Sequence, residues 1–261
     1  MKSPAILAIS IAFLAFRASA IESVHHLAHI AGHGRPAIIF ESGLGDTYER
    51  WNAVQESVAS HCGLTFAYNR AGYSGSSVAE GPRDAATIVA ELRDELANRG
   101  IRPPYVLVGH SLGGLYMQYF ARQYANEVSG LVLVDSTHWN EQLMMGAPQQ
   151  QSNAKGSTML FMPLIVRREL ADSARAGEEV HMSPPGHVRT IVLSSTGARR
   201  GETPAARTKA ARLQESIAAD FPGARHERVA ESGHYIQIDQ PRVVIDSVEE
   251  LAGCSTRKAA R

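Results

Sequence analysis

Short apolar runs alternate along the chain with segments whose apolar residues recur every three or four positions. Each run is almost continuously apolar, which is typical of a strand buried on both faces of a parallel sheet. The predicted strands are residues 36–40, 64–68, 105–108, 131–134, 188–195 and 227–230. A sheet of this kind requires helices on both of its faces.

The segments between these runs have the spacing of helices with one apolar face. Ile88, Leu92 and Leu96 lie on one stripe of a helix that Gly100 is expected to end. Pro241 begins the last helix, where a proline in the first turn is tolerated. The predicted helices are residues 48–59, 84–99, 112–124 and 208–221 and the segment from 241. The fold class is therefore α/β, with a mostly parallel sheet.

The alternation breaks between Thr137 and Gly186. This segment is rich in Met, Gln and Leu and closes with Pro184-Pro185-Gly186. Insertions of such length between two strands commonly cover a functional site. We expect a small helical cap at about residues 137–186, inserted before the penultimate strands.

The N-terminal segment differs from the rest of the chain. Lys2 precedes an apolar run at residues 5–16, and Ala18-Ser19-Ala20 places small residues where a signal peptidase reads them. This pattern predicts a signal peptide at residues 1–20, a domain at residues 21–261, and export to the periplasm or secretion. An uncleaved N-terminal anchor is the alternative.

The apolar core of that segment is too short to span a bilayer comfortably. No later segment approaches the roughly twenty apolar residues that a spanning helix needs. We therefore expect no stable membrane insertion of the mature chain.

Composition narrows the class of partner. The 261 residues are 44% hydrophobic and 20% charged, which fits one globular domain with a substantial core. The formal net charge is zero and no long block of like charge occurs, so we expect a small-molecule substrate and no nucleic acid. The two cysteines, Cys62 and Cys254, can form a disulfide if the chain is exported.

Candidate chemistry begins at Ser111. It lies in Gly109-His110-Ser111-Leu112-Gly113, directly after the predicted strand at 105–108 and before a predicted helix. Strand, sharp turn and helix in this order describe a nucleophile elbow, in which the serine adopts strained backbone angles and its oxygen is exposed. The flanking glycines are needed because side chains there would collide with the neighbouring strand and helix.

The element order and several short stretches are similar to those of the α/β-hydrolase superfamily over essentially the whole mature chain. The stretches are Ser42-Gly43-Leu44-Gly45, the elbow, and Ser232-Gly233-His234 followed by Asp239-Gln240-Pro241. The loop Asn69-Arg70-Ala71-Gly72-Tyr73-Ser74-Gly75 is similar to the superfamily's acid-Arg-x-Gly-x-Gly/Ser loop, with Asn69 where an aspartate is usual. This departure is expected to affect loop packing more than chemistry.

A serine hydroxyl needs a base to become a nucleophile at neutral pH. Among the eleven histidines, His234 fits best because it follows the last predicted strand, in the superfamily order of nucleophile, acid and histidine. The alternative is an ordinary surface-loop histidine. His110 is interpreted as a packing residue whose side chain points away from the reacting face.

Two carboxylates are candidates for the acid that orients the histidine. In most superfamily members the acid follows the strand after the cap, where Glu202 is the available carboxylate. Asp135 instead ends the preceding strand, a location that some members use. We favour Asp135 over Glu202, although Asp135 could simply satisfy backbone N–H groups of its loop.

The remaining site residues follow from the resemblance and from position. The backbone N–H groups of Leu44 and Leu112 are the expected donors of the oxyanion hole. His138 and Trp139 follow Asp135 and are expected to line the pocket or to begin the cap. No metal or cofactor is expected. The histidines at 25, 26, 29 and 33 are interpreted as part of an N-terminal strand or tail rather than a metal site.

These residues predict a serine hydrolase, carboxylesterase-like, that cleaves an ester or related acyl bond of a small, fairly apolar molecule. A cofactor-free perhydrolase, a carbon–carbon hydrolase or an aminopeptidase would use the same triad. A dehalogenase or epoxide hydrolase with an aspartate nucleophile is disfavoured because position 111 is serine. A binding or sensor protein on the same fold, with little turnover, is the rival from another class.

Overall fold

The computed structural model describes residues 24–141, 161–184, 187–197 and 203–254. Within these residues the strands form a seven-stranded sheet in the order β1-β3-β2-β4-β5-β6-β7. β1 is antiparallel to β3, and every other neighbouring pair is parallel. The strands are β1 (Ala28–Ala31), β2 (Ala37–Glu41), β3 (Thr65–Tyr68), β4 (Tyr105–His110), β5 (Val128–Val134), β6 (Thr190–Ser195) and β7 (Arg225–Val229). The predicted α/β class with a mostly parallel sheet is confirmed.

The helices of the described residues flank this sheet. They are α1 (Asn52–Ala59), α2 (Ala85–Asn98), α3 (Leu112–Gln123), α4 (Leu164–Met182), α5 (Pro204–Ala219), α6 (Ile236–Asp239) and α7 (Pro241–Ala252), with short 3₁₀ turns at Tyr48–Trp51 and Ala125–Glu127. The Asp84 side chain accepts a hydrogen bond from the Thr87 N–H at 2.9 Å and so caps α2. Thr203 caps α5 in the same way, which is why α5 begins four residues before the predicted start at 208.

Two apolar layers cover the two faces of the sheet. Side chains alternate between them along each strand, so Ile38 contributes to the layer under α1 and α7 whereas Ile39 contributes to the layer under α2 and α3. Val106 and Leu107 of β4 divide in the same way. Both faces are buried, which explains why the central strands read as continuous apolar runs.

Part of the histidine-rich segment near the N-terminus forms an edge strand of the sheet. His29 lies in β1, and its Nδ1 is 3.0 Å from the Gln55 side-chain oxygen. His26 is buried, with its ring edge against Tyr68. No group of three or more metal-binding side chains occurs among the residues that the structure describes.

The predicted cap is described only at its two ends, because residues 142–160 and 185–186 lie outside the described residues. Its described part is mainly α4, which packs on α2 and α3. A Cβ on Gly177 of α4 would lie 2.1 Å from the Trp139 carbonyl oxygen, so only glycine allows this approach. The first turn of α4 approaches the loops that follow β2 and β3. A Cβ on Gly45 would lie 3.8 Å from the Val166 side chain, and one on Gly72 would lie 2.6 Å from the Ile165 side chain.

None of the described helices is both long enough and apolar enough to cross a lipid bilayer. The signal-peptide prediction falls on residues 1–20, which lie outside the described residues.

Cys62 and Cys254 form a disulfide, with Cα atoms 5.2 Å apart. The bond joins the end of α1 to the end of α7 across a sequence separation of 192 residues. Cross-links over such long loops restrict the unfolded chain strongly.

Removing this disulfide is expected to destabilise the fold. The double substitution Cys62→Ala and Cys254→Ala should lower the free energy of unfolding by about 2–5 kcal/mol, because the unfolded chain regains conformational freedom. Denaturant titration with and without a reductant measures this. The reductant should destabilise the wild type and leave the stability of the double variant unchanged. Equal stability of the wild type and the double variant without reductant would contradict the expectation.

Candidate active site

The turn between β4 and α3 has the geometry of a nucleophile elbow. Ser111 has φ 53° and ψ −124°, a strained conformation for a residue with a side chain. A Cβ on Gly109 would lie 2.7 Å from the Gly114 Cα, and one on Gly113 would lie 2.4 Å from the Ser42 carbonyl oxygen. Glycine is therefore required on both sides of the serine, as the sequence pattern predicts.

Ser111, His234 and Asp135 lie in one chain of contacts. His234 Nε2 is 3.0 Å from Ser111 Oγ, and His234 Nδ1 is 2.6 Å from Asp135 Oδ2. The Asp135 side chain is 4% exposed whereas that of His234 is 24% exposed, so the carboxylate is covered and the imidazole edge reaches the site. A neutral imidazole with its proton on Nδ1 can accept the serine proton at Nε2.

Asp135 occupies this place because of the sheet register. β4 and β5 are paired so that His110 lies opposite Val134, and the residues that follow, Ser111 and Asp135, leave the sheet side by side. Asp135 has φ 42°, and its Oδ1 accepts hydrogen bonds from the Ser195 N–H at 3.0 Å and the Ser195 hydroxyl at 3.1 Å. One oxygen is thus held by β6 and the other faces His234.

The alternative acid, Glu202, lies outside the described residues. Among the described residues, the carboxylate in contact with His234 is that of Asp135.

The loop that carries His234 is held from both sides. The Gly197 N–H donates to the Ser232 carbonyl at 2.8 Å, and the Gly233 N–H donates to Asp239 Oδ2 at 2.8 Å. Glu231 adopts φ 55° in the turn that leads into this loop. Hydrogen bonds to fixed neighbours therefore define the position of the imidazole.

His110 has a second contact that the sequence did not reveal. Its ring is buried, as expected for a packing residue, but its Nε2 is 2.9 Å from the His234 carbonyl oxygen. The two rings lie 4.6 Å apart between centroids. His110 therefore supports the backbone of His234. The sequence feature that could have indicated this contact is the position of His110 next to Ser111 in the elbow motif.

The predicted oxyanion donors flank the serine. Leu112 is the first residue of α3, where the backbone N–H has no acceptor within the helix. The loop that carries Leu44 approaches the elbow closely, because a Cβ on Gly43 would lie 3.2 Å from the Ser111 Cβ. The role of these two N–H groups as oxyanion donors stays a prediction.

Asn69 performs the loop packing that the sequence suggested. Its side-chain oxygen accepts from the Tyr48 N–H at 2.8 Å, and its amide nitrogen donates to the Ser74 carbonyl at 2.9 Å. An ionised aspartate could not donate the second bond. The asparagine therefore ties the two loops together.

His138 and Trp139 are engaged by neighbouring helices. The Asn140 N–H donates to His138 Nδ1 at 3.0 Å, and His138 Nε2 is 3.1 Å from the Ser216 hydroxyl on α5. Burial lowers the pKa of His138, which keeps the ring neutral. Trp139 stacks on His181 of α4 with ring centroids 3.9 Å apart. Contact of either residue with a substrate stays a prediction.

Comparison with known proteins follows this geometry. Residues 38–247 match the alpha/beta hydrolase family. The chain belongs to this family. It is 25% identical over 235 residues to the uncharacterized protein YqjL of Bacillus subtilis (strain 168), a match that covers 90% of each chain.

Solved structures share the fold of this alpha/beta hydrolase. An enol-lactonase from Burkholderia xenovorans LB400 superposes with a TM-score of 0.63 at 17% identity, covering 90% of this chain and 99% of that one. A thermophilic esterase from Thermogutta terrifontis superposes with a TM-score of 0.60 at 18% identity, covering 87% and 92%. At such identities the likeness establishes the fold, and the chemistry has to be argued from the site.

Proposed function

We propose that this alpha/beta hydrolase cleaves an ester or related acyl bond of a small, fairly apolar substrate through an acyl-enzyme on Ser111. The observation that carries the proposal is the contact chain from Ser111 to His234 at 3.0 Å and from His234 to Asp135 at 2.6 Å. A nucleophile, a base within hydrogen-bond reach and an acid that orients the base are the parts that acyl transfer requires.

In the first half of the proposed reaction, His234 Nε2 takes the proton of the Ser111 hydroxyl as the oxygen attacks the substrate carbonyl. The carbonyl oxygen becomes an oxyanion and accepts hydrogen bonds from the Leu44 and Leu112 N–H groups. His234 then protonates the leaving group, and the bond between the acyl carbon and the leaving group breaks.

In the second half, a water molecule loses a proton to His234 Nε2 and attacks the acyl carbon. The ester bond to Ser111 breaks, and the serine oxygen regains its proton from His234. Asp135 stabilises the imidazolium that forms twice in the cycle and keeps the Nδ1 proton in place. Every step is assigned to protein side chains, backbone amides and water, so the proposal includes no metal or cofactor.

A perhydrolase, a carbon–carbon hydrolase and an aminopeptidase would use the same triad but would differ in the leaving group or in the attacking molecule. The esterase assignment is supported by membership in the alpha/beta hydrolase family and by the fold shared with the Thermogutta terrifontis esterase. A binding or sensor protein on this fold would keep the same contacts and show negligible turnover, so turnover on short-chain esters separates the two functions.

Replacing the nucleophile is expected to abolish hydrolysis. Ser111→Ala should lower the turnover of p-nitrophenyl butyrate by about 10⁴-fold or more, because the attacking oxygen is lost. Labelling with a fluorophosphonate, followed by peptide mapping, should find the adduct on Ser111. Ser74→Ala, at an exposed serine, is the control and should retain the label and the activity. Full activity in Ser111→Ala would refute the nucleophile assignment.

The acid assignment is tested by two isosteric substitutions. Asp135→Asn should lower kcat by about 10³- to 10⁴-fold, because an amide favours the wrong imidazole tautomer and leaves the imidazolium without its counter-charge. Glu202→Gln should remain close to the wild type. A larger loss in Glu202→Gln, measured under the same conditions, would reverse the assignment.

We also propose export, with residues 1–20 removed as a signal peptide. The disulfide between Cys62 and Cys254 supports this proposal, because such bonds persist in oxidising compartments. Peptide mapping of the protein recovered from the periplasm or medium should find Ile21 at its N-terminus. An intact Met1 end on the exported protein would exclude cleavage at this site.

A further inference from the structure

A buried arginine connects the loop at residues 42–45, which carries the predicted oxyanion donor Leu44, to the described part of the cap. Arg70 Nη1 donates to the Ser42 carbonyl and to Glu41 Oε1, each at 2.6 Å, and its Nη2 donates to the Gly43 carbonyl at 2.9 Å. Its Nε and Nη2 also donate to the two oxygens of Glu169, at 2.7 and 2.8 Å. Glu169 lies on α4 and its side chain is fully buried, so the cap helix holds the arginine bidentately.

The bond to the Gly43 carbonyl acts on an oxyanion donor. This carbonyl and the Leu44 N–H belong to one planar trans peptide, in which the two groups point in opposite directions. By fixing the carbonyl, Arg70 fixes the direction of the Leu44 N–H. A charged donor on the oxygen also polarises the peptide and strengthens the N–H as a hydrogen-bond donor.

The peptide on the other side of Leu44 is held through the same carboxylate. The Gly45 N–H donates to the Tyr73 hydroxyl at 3.0 Å, and this hydroxyl donates to Glu169 Oε2 at 2.7 Å. Gly45 has φ +78°, a conformation that favours glycine. Both peptides that flank Leu44 are therefore linked to Glu169, one through Arg70 and the other through Tyr73.

The charges in this cluster suit these contacts. Burial alone would lower the pKa of Arg70, but Glu169, Tyr73 and Glu41 hold it well above its ordinary value, so the guanidinium remains charged. Burial raises the pKa of Tyr73 to about 12, which keeps the hydroxyl protonated and able to donate to Glu169.

We propose that Glu169 is a positioning residue for the oxyanion donor Leu44, acting through Arg70 and Tyr73. The inference rests on the proposed serine-hydrolase function. Its consequence is that the oxyanion hole is complete only when α4 is seated on the domain. The cap then contributes to the rate of acyl transfer in addition to covering the site.

A purely structural role for Glu169 predicts different behaviour, and Asp172 provides the matched control. Asp172 lies one turn further along α4, and its Oδ2 accepts the Arg83 N–H at 2.7 Å. It therefore joins the same helix to the domain without contacting Arg70 in the described structure. Asp172→Asn removes the charge from this second link between α4 and the domain and leaves the link to Leu44 unaltered.

The test compares Glu169→Gln with Asp172→Asn. Glutamine keeps the size of the side chain but places an NH₂ group against the guanidinium, which displaces Arg70 from the Gly43 carbonyl. For p-nitrophenyl butyrate, Glu169→Gln should lower kcat by about 10- to 100-fold with KM within about twofold of the wild type, because an oxyanion donor acts mainly in the transition state. Asp172→Asn should leave kcat within about twofold.

A thionoester of the same acyl chain gives the readout that stability alone would not change. Its sulfur accepts hydrogen bonds more weakly than oxygen does, so a misplaced donor costs the oxoester more than the thionoester. The ratio of kcat/KM for the oxoester to kcat/KM for the thionoester should fall by about 10-fold in Glu169→Gln. It should remain at the wild-type value in Asp172→Asn. An unchanged ratio in folded Glu169→Gln would overturn the inference.

Tyr73→Phe extends the test if Glu169→Gln does not fold. It removes only the hydroxyl that joins Gly45 to Glu169, and it should lower the same ratio by a smaller factor; an unchanged ratio would again overturn the inference. Failure of the positioning role is distinguished from failure of the proposed hydrolase function by the turnover of the wild type. This turnover depends on Ser111 if Ser111→Ala abolishes it. If that turnover is present and the ratios do not change, only the positioning role falls. If it is absent, both proposals fall.

Discussion

The close approach of three loops at the first turn of α3 is the constraint on which the rest of the site depends. A Cβ on Gly113 would meet the backbone that follows β2, and a Cβ on Gly114 would lie 2.2 Å from the Ser136 hydroxyl oxygen in the loop after β5. Only a turn without these side chains allows the loops after β2, β4 and β5 to converge. The strain at Ser111, of the order of 1–3 kcal/mol, is tolerated because the packed helix and strand on either side fix the turn.

The charged side chains beneath the loop at residues 42–45 impose a second constraint. Arg70, Glu41 and Glu169 are removed from water, which is costly for each alone. Hydrogen bonds to fixed backbone carbonyls and tyrosine hydroxyls satisfy the cluster, and burial raises the pKa of Glu41 against the opposing effects of Arg70 and Tyr68. Buried ion pairs often add no stability over apolar residues of similar volume, so this arrangement suits precise positioning more than stability.

Much of this architecture follows from local patterns. Continuous apolar runs mark strands that are covered on both faces, and the glycines around Ser111 indicate a turn that only they permit. The assignment of His234 needed only its order in the chain. Asp135 was harder, because its place beside His234 depends on how β5 and β6 are paired, a property of the register that no short motif contains.

The contacts that escaped prediction join residues far apart in the chain. Arg70 and Glu169 are separated by 99 positions, and nothing in the sequence around either one indicates the other. His110 is buried, as expected of a packing residue, but its bond to the His234 backbone spans 124 positions. Such pairs are set by tertiary packing, where a sequence pattern gives the presence of a charge or ring but not its partner.

The disulfide between Cys62 and Cys254 has a consequence for a protein exposed to proteases. Ser111, Asp135 and His234 all lie within the covalent ring that it closes. A single backbone cut anywhere in that ring, including the segment between Asp135 and His234, would leave two fragments that remain one molecule. Nicking would therefore not by itself release the histidine from the serine, and cleavage products would separate only after reduction.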